Sequence, residues 1–194
     1  MNDTEFNRQP TVIPDIVAET AALSFNMMSE AKVGALLAVL AASKPGGRLL
    51  EVGTGTGHGT AWLLSGMDAT ATLDTVDTDE AIVAVARRYL GRDRRVTFHV
   101  TDGAAFLTKD GLQPFDLIYA DAWPGKFSHL DEALSLLRPG GMYVIDDLLP
   151  QANWPEGHAL NVPKLLREIE GRSGFVSVRL AWASGRMLVV RNTG

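Results

Sequence analysis

Leu49-Leu50-Glu51-Val52-Gly53-Thr54-Gly55-Thr56-Gly57-His58-Gly59 is the stretch on which the fold turns. The apolar run at 48–52 reads as a short buried strand, and alternating glycines carry it into a helix expected over 57–64. Glycine lets a backbone turn tightly and lets a ligand approach it, with the positive end of the next helix behind the loop. Such loops are common, so the glycines alone say little. A phosphate-binding loop would need Gly-Lys-Ser/Thr, which is absent. The dinucleotide pattern G-x-G-x-x-G fails from Gly53, where His58 takes the third place, and from Gly55, where Thr60 does. An acid ahead of three alternating glycines still argues against a turn that holds no ligand.

Working outward, strands and helices alternate. Strands are expected at 70–76, 96–100, 115–120 and 142–145. Helices are expected from a cap at Thr78 or Asp79 to Leu90, then over 104–108, 128–137 and 163–170. Ile82, Val85, Ala86 and Tyr89 recur at helical spacing. Arg138-Pro139-Gly140-Gly141 reads as a helix end and turn. Runs 175–182 and 187–191 flank Ala183-Ser184-Gly185-Arg186 as an antiparallel hairpin. Repeated β-α units imply a parallel sheet covered on both faces. Before it, 15–26 and 30–42 read as two helices, with Ser29 as the expected N-cap of the second. The expectation is one α/β domain over 1–194: N-terminal helices at 15–42 and a Rossmann-like core at 48–194.

Composition narrows the function. At 194 residues and 46% hydrophobic, the chain can bury a sizeable core. Zero cysteines exclude disulfides, thiolate metal sites and a cysteine nucleophile. No apolar run is long enough to span a bilayer, and the polar stretch 1–10 has no signal core, so a cytoplasmic location is expected. The net charge of −5 argues against a nucleic-acid partner. The densest basic run, Arg87, Arg88, Arg92, Arg94 and Arg95, falls at a helix end, where cations complement the helix dipole.

Glu51-x-Gly53-x-Gly55-x-Gly57 resembles the first motif of class I S-adenosylmethionine-dependent methyltransferases. The resemblance implies a Rossmann-like fold: a mostly parallel seven-stranded sheet with one antiparallel strand and helices on both faces. It implies that Glu51, Gly53, Thr54, Gly55 and Gly57 wrap the methionine part of the cofactor. It implies that Asp77 accepts the ribose hydroxyls and that Asp102-Gly103-Ala104 meets adenine. Asp77 could otherwise be an ordinary loop acid, and Asp102 a helix cap.

Asp121 ends the strand at 115–120, and Asp146-Asp147 end the one at 142–145. If these strands flank the first, the three carboxylates converge beside the glycine loop. Held close, they repel, so one must protonate or a cation must neutralise them. All-oxygen ligation suits Mg²⁺, Ca²⁺ or Mn²⁺. The runs at 115–123, 136–141 and 144–147 are similar to the metal-dependent O-methyltransferases of the catechol and caffeoyl-coenzyme A type. That resemblance implies Asp121, Asp146 and Asp147 as metal ligands, Asp121 also on the cofactor side, and Lys126 as base. The family has Asp-Asn where this chain has Asp146-Asp147, and Pro124-Gly125 stands inserted before Lys126.

Trp123 and Trp154 are candidate walls for a flat acceptor, although Trp154 could equally anchor its loop. His158 reads as a loop polar group more than as a base, His58 as packing near the cofactor, and Met27 and Met28 as core. The main expectation is a metal-assisted O-methyltransferase for a small hydroxylated, aromatic acceptor. Related enzymes are often dimers, which makes a homodimer through the N-terminal helices the expected assembly. The competing readings are a metal-free methyltransferase using Lys126 or His158, a tRNA-hydroxyl methyltransferase, a non-catalytic S-adenosylmethionine binder and an NAD-dependent oxidoreductase.

Overall fold

The computed structural model describes residues 9–193; most of the polar opening stretch therefore lies outside the described residues. Seven strands form one sheet: β1 (Arg48–Val52), β2 (Thr72–Asp77), β3 (Val96–Val100), β4 (Phe115–Ala120), β5 (Leu137–Ile145), β6 (Phe175–Leu180) and β7 (Arg186–Arg191). Their order is β3-β2-β1-β4-β5-β7-β6. β1 to β5 pair in parallel, and β7 runs antiparallel to both β5 and β6. This is the sheet expected from the sequence, with β7 as its one reversed strand.

The apolar runs explain the layering. Side chains alternate across a strand, so a strand buried on both faces reads as continuously apolar. Leu49, Leu117, Tyr119 and Val144 face one core, shared with α1 (Ile13–Ala22), α2 (Ala31–Ala42) and α3 (His58–Gly66). Leu50, Ile118, Ala120, Tyr143 and Ile145 face the other, with α5 (Gly103–Leu107), α6 (Leu130–Ser135) and α7 (His158–Glu170). Between β2 and β3, α4 (Glu80–Leu90) contacts α1 and α3. Asp79 caps it, accepting from the N–H groups of Ala81 and Ile82.

Three local expectations are corrected. Ser29 does not cap α2: Glu30 holds the N-cap place without a side-chain bond, and Ser29 turns to Asp121 instead. α7 starts at His158, not at Pro163. The proline ring is exposed while Val162, Leu165 and Ile169 on the inner face are buried, so packing holds a helix that local propensity would begin later. β5 runs through Arg138-Pro139-Gly140-Gly141, because Leu137 pairs with Phe115 and Met142 with Leu117 across a register shift. The turn residues are thereby absorbed as an irregularity in the strand.

β1 lies where the strand order reverses, between β2 and β4. In open α/β sheets that crevice, beyond the carboxyl ends of the strands, is where ligands bind.

Candidate active site

A cleft of about 230 Å³ opens at this point. Gly53, Gly55 and Asp77 line one side, and Asp121, Trp123, Lys126, Asp146, Asp147 and His158 the other. A smaller recess runs beneath the glycine loop, between Phe25, Met28, Glu51 and His58.

The loop is held from below. Glu51 is buried, and its carboxyl accepts from Thr60 Oγ1 at 2.5 Å and Thr75 Oγ1 at 2.7 Å. Burial pushes this carboxyl up to about 8, so it stands protonated at neutral pH. Glu51 thus serves as a buttress that borders the recess. Thr54 Oγ1 joins the same threonine layer, 2.7 Å from Thr75 Oγ1. Gly53 has φ +107°, and a Cβ there would stand 2.8 Å from the Asp121 carbonyl oxygen. Gly55, φ +51°, lines the cleft, where a Cβ would meet the Phe25 ring at 3.4 Å. From above, Thr20 of α1 donates to Thr56 Oγ1 at 2.7 Å.

Asp77 lines the cleft as expected. Its Oδ2 accepts the Gly55 N–H at 2.8 Å, and its Oδ1 accepts the Thr78 N–H at 2.7 Å. A carboxylate has further lone pairs to offer a hydroxyl. Asp102 caps α5 by accepting the Ala105 N–H at 2.9 Å, the alternative that the sequence left open. Asp102, Gly103 and Ala104 are absent from the linings of both the cleft and the recess.

The carboxylates are brought together only in part. Asp121 Oδ2 accepts from Ser29 Oγ at 2.9 Å and lies 3.0 Å from Tyr119 OH. Tyr119 OH also reaches Asp146 Oδ2 at 2.7 Å. Burial, then the charge of Asp146, pushes the Asp121 carboxyl up. Burial likewise keeps the Tyr119 phenol protonated, so it can donate. Asp146 is buried and ion-paired: its Oδ1 lies 2.9 Å from the Arg186 guanidinium and accepts from Ser184 Oγ at 2.9 Å. Asp147 points elsewhere. It has φ +63°, its Oδ1 accepts Trp154 Nε1–H at 2.6 Å, and its carbonyl lies 2.9 Å from His158 Nε2. Among the described residues no group of three or more His, Asp or Glu side chains is placed to hold a metal ion.

Lys126 reaches the site despite the inserted Pro124-Gly125. Gly125 N–H donates to the Ser128 carbonyl at 2.7 Å, and Tyr143 OH donates to the Gly125 carbonyl at 2.6 Å, closing a tight turn. Lys126 is buried, with Nζ 3.2 Å from the Asp146 carbonyl and 5.3 Å from the Phe127 ring centre. Trp123 is 39% exposed at the rim and meets Phe127 edge-on at 4.9 Å. Trp154 is not a cleft wall. It stacks on His158 at 4.3 Å and so anchors its loop. His158 is buried in the cleft lining between Trp154 and Phe127, and burial lowers its pKa. Met27 and Met28 line the cleft and not the core. Sequence reasoning missed Ser29, Tyr119, Ser184 and Arg186. Tyr119, two residues before Asp121, is the one whose strand position could have signalled its direction.

Known proteins can now be set beside this geometry. A methyltransferase domain family model matches residues 50–148. A candidate O-methyltransferase of Mycobacteroides abscessus is 31% identical over 182 residues, covering 82% of this chain and 79% of its own. One of Mycolicibacterium vanbaalenii is 36% identical over 121 residues, covering 58% of this chain and 52% of its own. The chain thus spans about half the length of most of the curated relatives it matches. Solved structures share the fold, two of them O-methyltransferases with cofactor bound. These two are the O-methyltransferase TomG of Streptomyces achromogenes with S-adenosylmethionine (TM-score 0.81, 22% identity, 98% of this chain and 93% of that one), and a Bacillus cereus O-methyltransferase with the demethylated cofactor (TM-score 0.83, 20% identity, 98% and 94%). The sheet order with its strand-end glycine loop defines a Rossmann-like architecture. The chain belongs to the methyltransferase domain family.

Proposed function

We propose that this chain transfers the methyl group of S-adenosylmethionine to a hydroxyl of a small, flat acceptor. The supporting observation is that the glycine cradle, Asp77, Lys126 and Trp123 all line one cleft. S-adenosylmethionine supplies a methyl activated on a sulfonium, so the protein's task is alignment. The backbone at Gly53 and Gly55 offers close approach without side chains, and Asp77 accepts ribose hydroxyls. Lys126 Nζ, held by the Asp146 carbonyl, takes the acceptor hydroxyl's proton as its oxygen bonds to the methyl carbon. The carbon–sulfur electron pair leaves with the sulfur. Trp123 offers an apolar face for an aromatic ring.

The divalent cation implied by the resemblance to catechol-type enzymes does not fit the side chains as they stand. Asp146 is paired with Arg186, and Asp147 is committed to Trp154. No step is therefore drawn through a metal. A tRNA acceptor is less favoured: Arg87, Arg88 and Arg95 are ion-paired with Glu80, Glu19 and Asp93. Among the described residues no helix is long and apolar enough to cross a membrane.

The test is calorimetry with S-adenosylmethionine and with NAD, then a panel of catechol-like, monohydroxylated and aliphatic acceptors scored by mass spectrometry. S-adenosylmethionine should bind and NAD should not. Trp123→Ala should raise KM for aromatic acceptors about 10-fold, the worth of one good aromatic contact, and leave cofactor affinity alone. Binding of NAD alone would refute the methyltransferase reading, and turnover of aliphatic acceptors alone would refute the aromatic pocket.

A further inference from the structure

We infer that Arg186 takes the place of a divalent cation at this site, so that the acceptor side of the cleft is assembled without metal. The inference rests on the methyl-transfer reading above and concerns what neutralises its carboxylates.

The pairing is built into the sheet. Ile145 of β5 stands opposite Met187 of β7 in an antiparallel ladder. Asp146 directly follows the last residue of β5 and Arg186 is the first of β7, so continuing that register brings the two side chains to the same place. Both are at least 98% buried, and their ion pair measures 2.9 Å. The guanidinium is fixed on its other side: one terminal nitrogen donates to the Trp182 carbonyl at 2.8 Å, the other to Ser184 Oγ at 2.8 Å. Ser184 in turn lines the cleft and donates to Asp146 Oδ1.

Asp146 consequently has four donors around it. Oδ1 takes Arg186, Ser184 and the Asp147 N–H at 2.6 Å, and Oδ2 takes Tyr119. A divalent ion on that carboxylate would have to displace these donors and would stand beside a buried, permanently charged guanidinium, where like charges repel strongly. The same arginine answers the question posed by crowded acids: a buried cation already stands 2.9 Å from Asp146, the neighbour of Asp121. Tyr119 links the two carboxylates, so holding Asp146 also sets the orientation of Asp121. Arg186 is thus a positioning residue. The hairpin turn seats it: Leu149 N–H donates to the Ser184 carbonyl at 2.7 Å, and a Cβ on Gly185 would stand 2.5 Å from Leu149 Cγ.

The experiment follows Mn²⁺ by electron paramagnetic resonance in the full chain, with S-adenosylhomocysteine calorimetry on the same samples. Wild type should leave the free-Mn²⁺ signal unchanged at micromolar metal. Arg186→Met uncovers the Asp146 and Asp121 carboxylates and should bind Mn²⁺ at least about 10-fold more tightly. That gain should vanish when Asp121→Asn is added. Arg186→Lys, which keeps a cation, should remain blind to Mn²⁺. Micromolar Mn²⁺ binding by wild type that Asp146→Asn removes would overturn the inference, and so would a folded Arg186→Met with no gain. The wild-type titration decides the matter even if Arg186→Met does not fold. Failure of the chain to bind S-adenosylhomocysteine would instead strike the methyltransferase reading, whatever the Mn²⁺ result.

Discussion

Single side chains and single torsions decide much of this site. Gly55 combines φ +51° with a place in the cleft lining, where a Cβ would meet the Phe25 ring at 3.4 Å. A valine there would be β-branched in a left-handed conformation and would occupy the space a cofactor needs. Gly55→Val should abolish the rise in Tm produced by S-adenosylhomocysteine, a ligand-linked shift read by differential scanning fluorimetry. Lys126, the proton acceptor proposed above, carries one amine at the end of a buried stem. Lys126→Met keeps most of the stem's volume and removes the proton acceptor. It should lower kcat by about 10²–10⁴-fold with the cofactor Kd unchanged. An equal loss of cofactor affinity in calorimetry would mean that Lys126 supports the loop and not the reaction.

At the scale of elements, the β5–β7 ladder and its turn support the Asp146 side of the cleft. A buried pair that loses one partner leaves an uncompensated charge, at a cost of about 3–5 kcal/mol. Arg186→Met should therefore destabilise the protein by about that much in urea unfolding. Asp146→Asn placed on top should recover a substantial part, because the orphaned charge is gone. Strict additivity of the two changes would show that the pair is not coupled. The glycine loop is supported in the same way from another side, by α1 through Thr20 and Thr56. These supports are held by elements far apart in the chain, whereas Asp77 reaches the loop from the end of the neighbouring β2.

For the whole molecule, the packed sheet stores a pH dependence. The folded protein holds the Glu51 carboxyl up at about 8, against an ordinary value near 4.5, chiefly by burial. Between these values the folded state binds more protons than the unfolded one, so this group's contribution to stability is full below about 4.5 and is lost as pH rises through about 8. The slope it can impose is at most about 1.4 kcal/mol per pH unit. Burial of His58, lowered to about 4, acts oppositely: its contribution is present above about 6.5 and lost as pH falls toward about 4. Glu51→Gln removes only the first effect. Its Tm should fall less than that of wild type between pH 6 and pH 8.5, and should fall more steeply than wild type from pH 6 toward about 4.5, where the Glu51 gain no longer offsets the His58 loss. Parallel Tm curves across the alkaline range would show that Glu51 does not titrate with folding.

The α/β alternation, the glycine loop and the strand-end acids Asp77 and Asp121 were legible in the sequence, whereas the turn that carries Lys126 was not. Each legible feature is written within a few residues, where apolar period, turn chemistry and strand length act locally. It could not say which side chain meets which across the sheet. That Ser29 turns to Asp121 and that Asp146 faces Arg186 only the packed fold decided. The physical reason is register. Asp146 and Arg186 are forty residues apart in the chain, and only the pairing of β5 with β7, set by packing on both faces of the sheet, brings the acid against its cation.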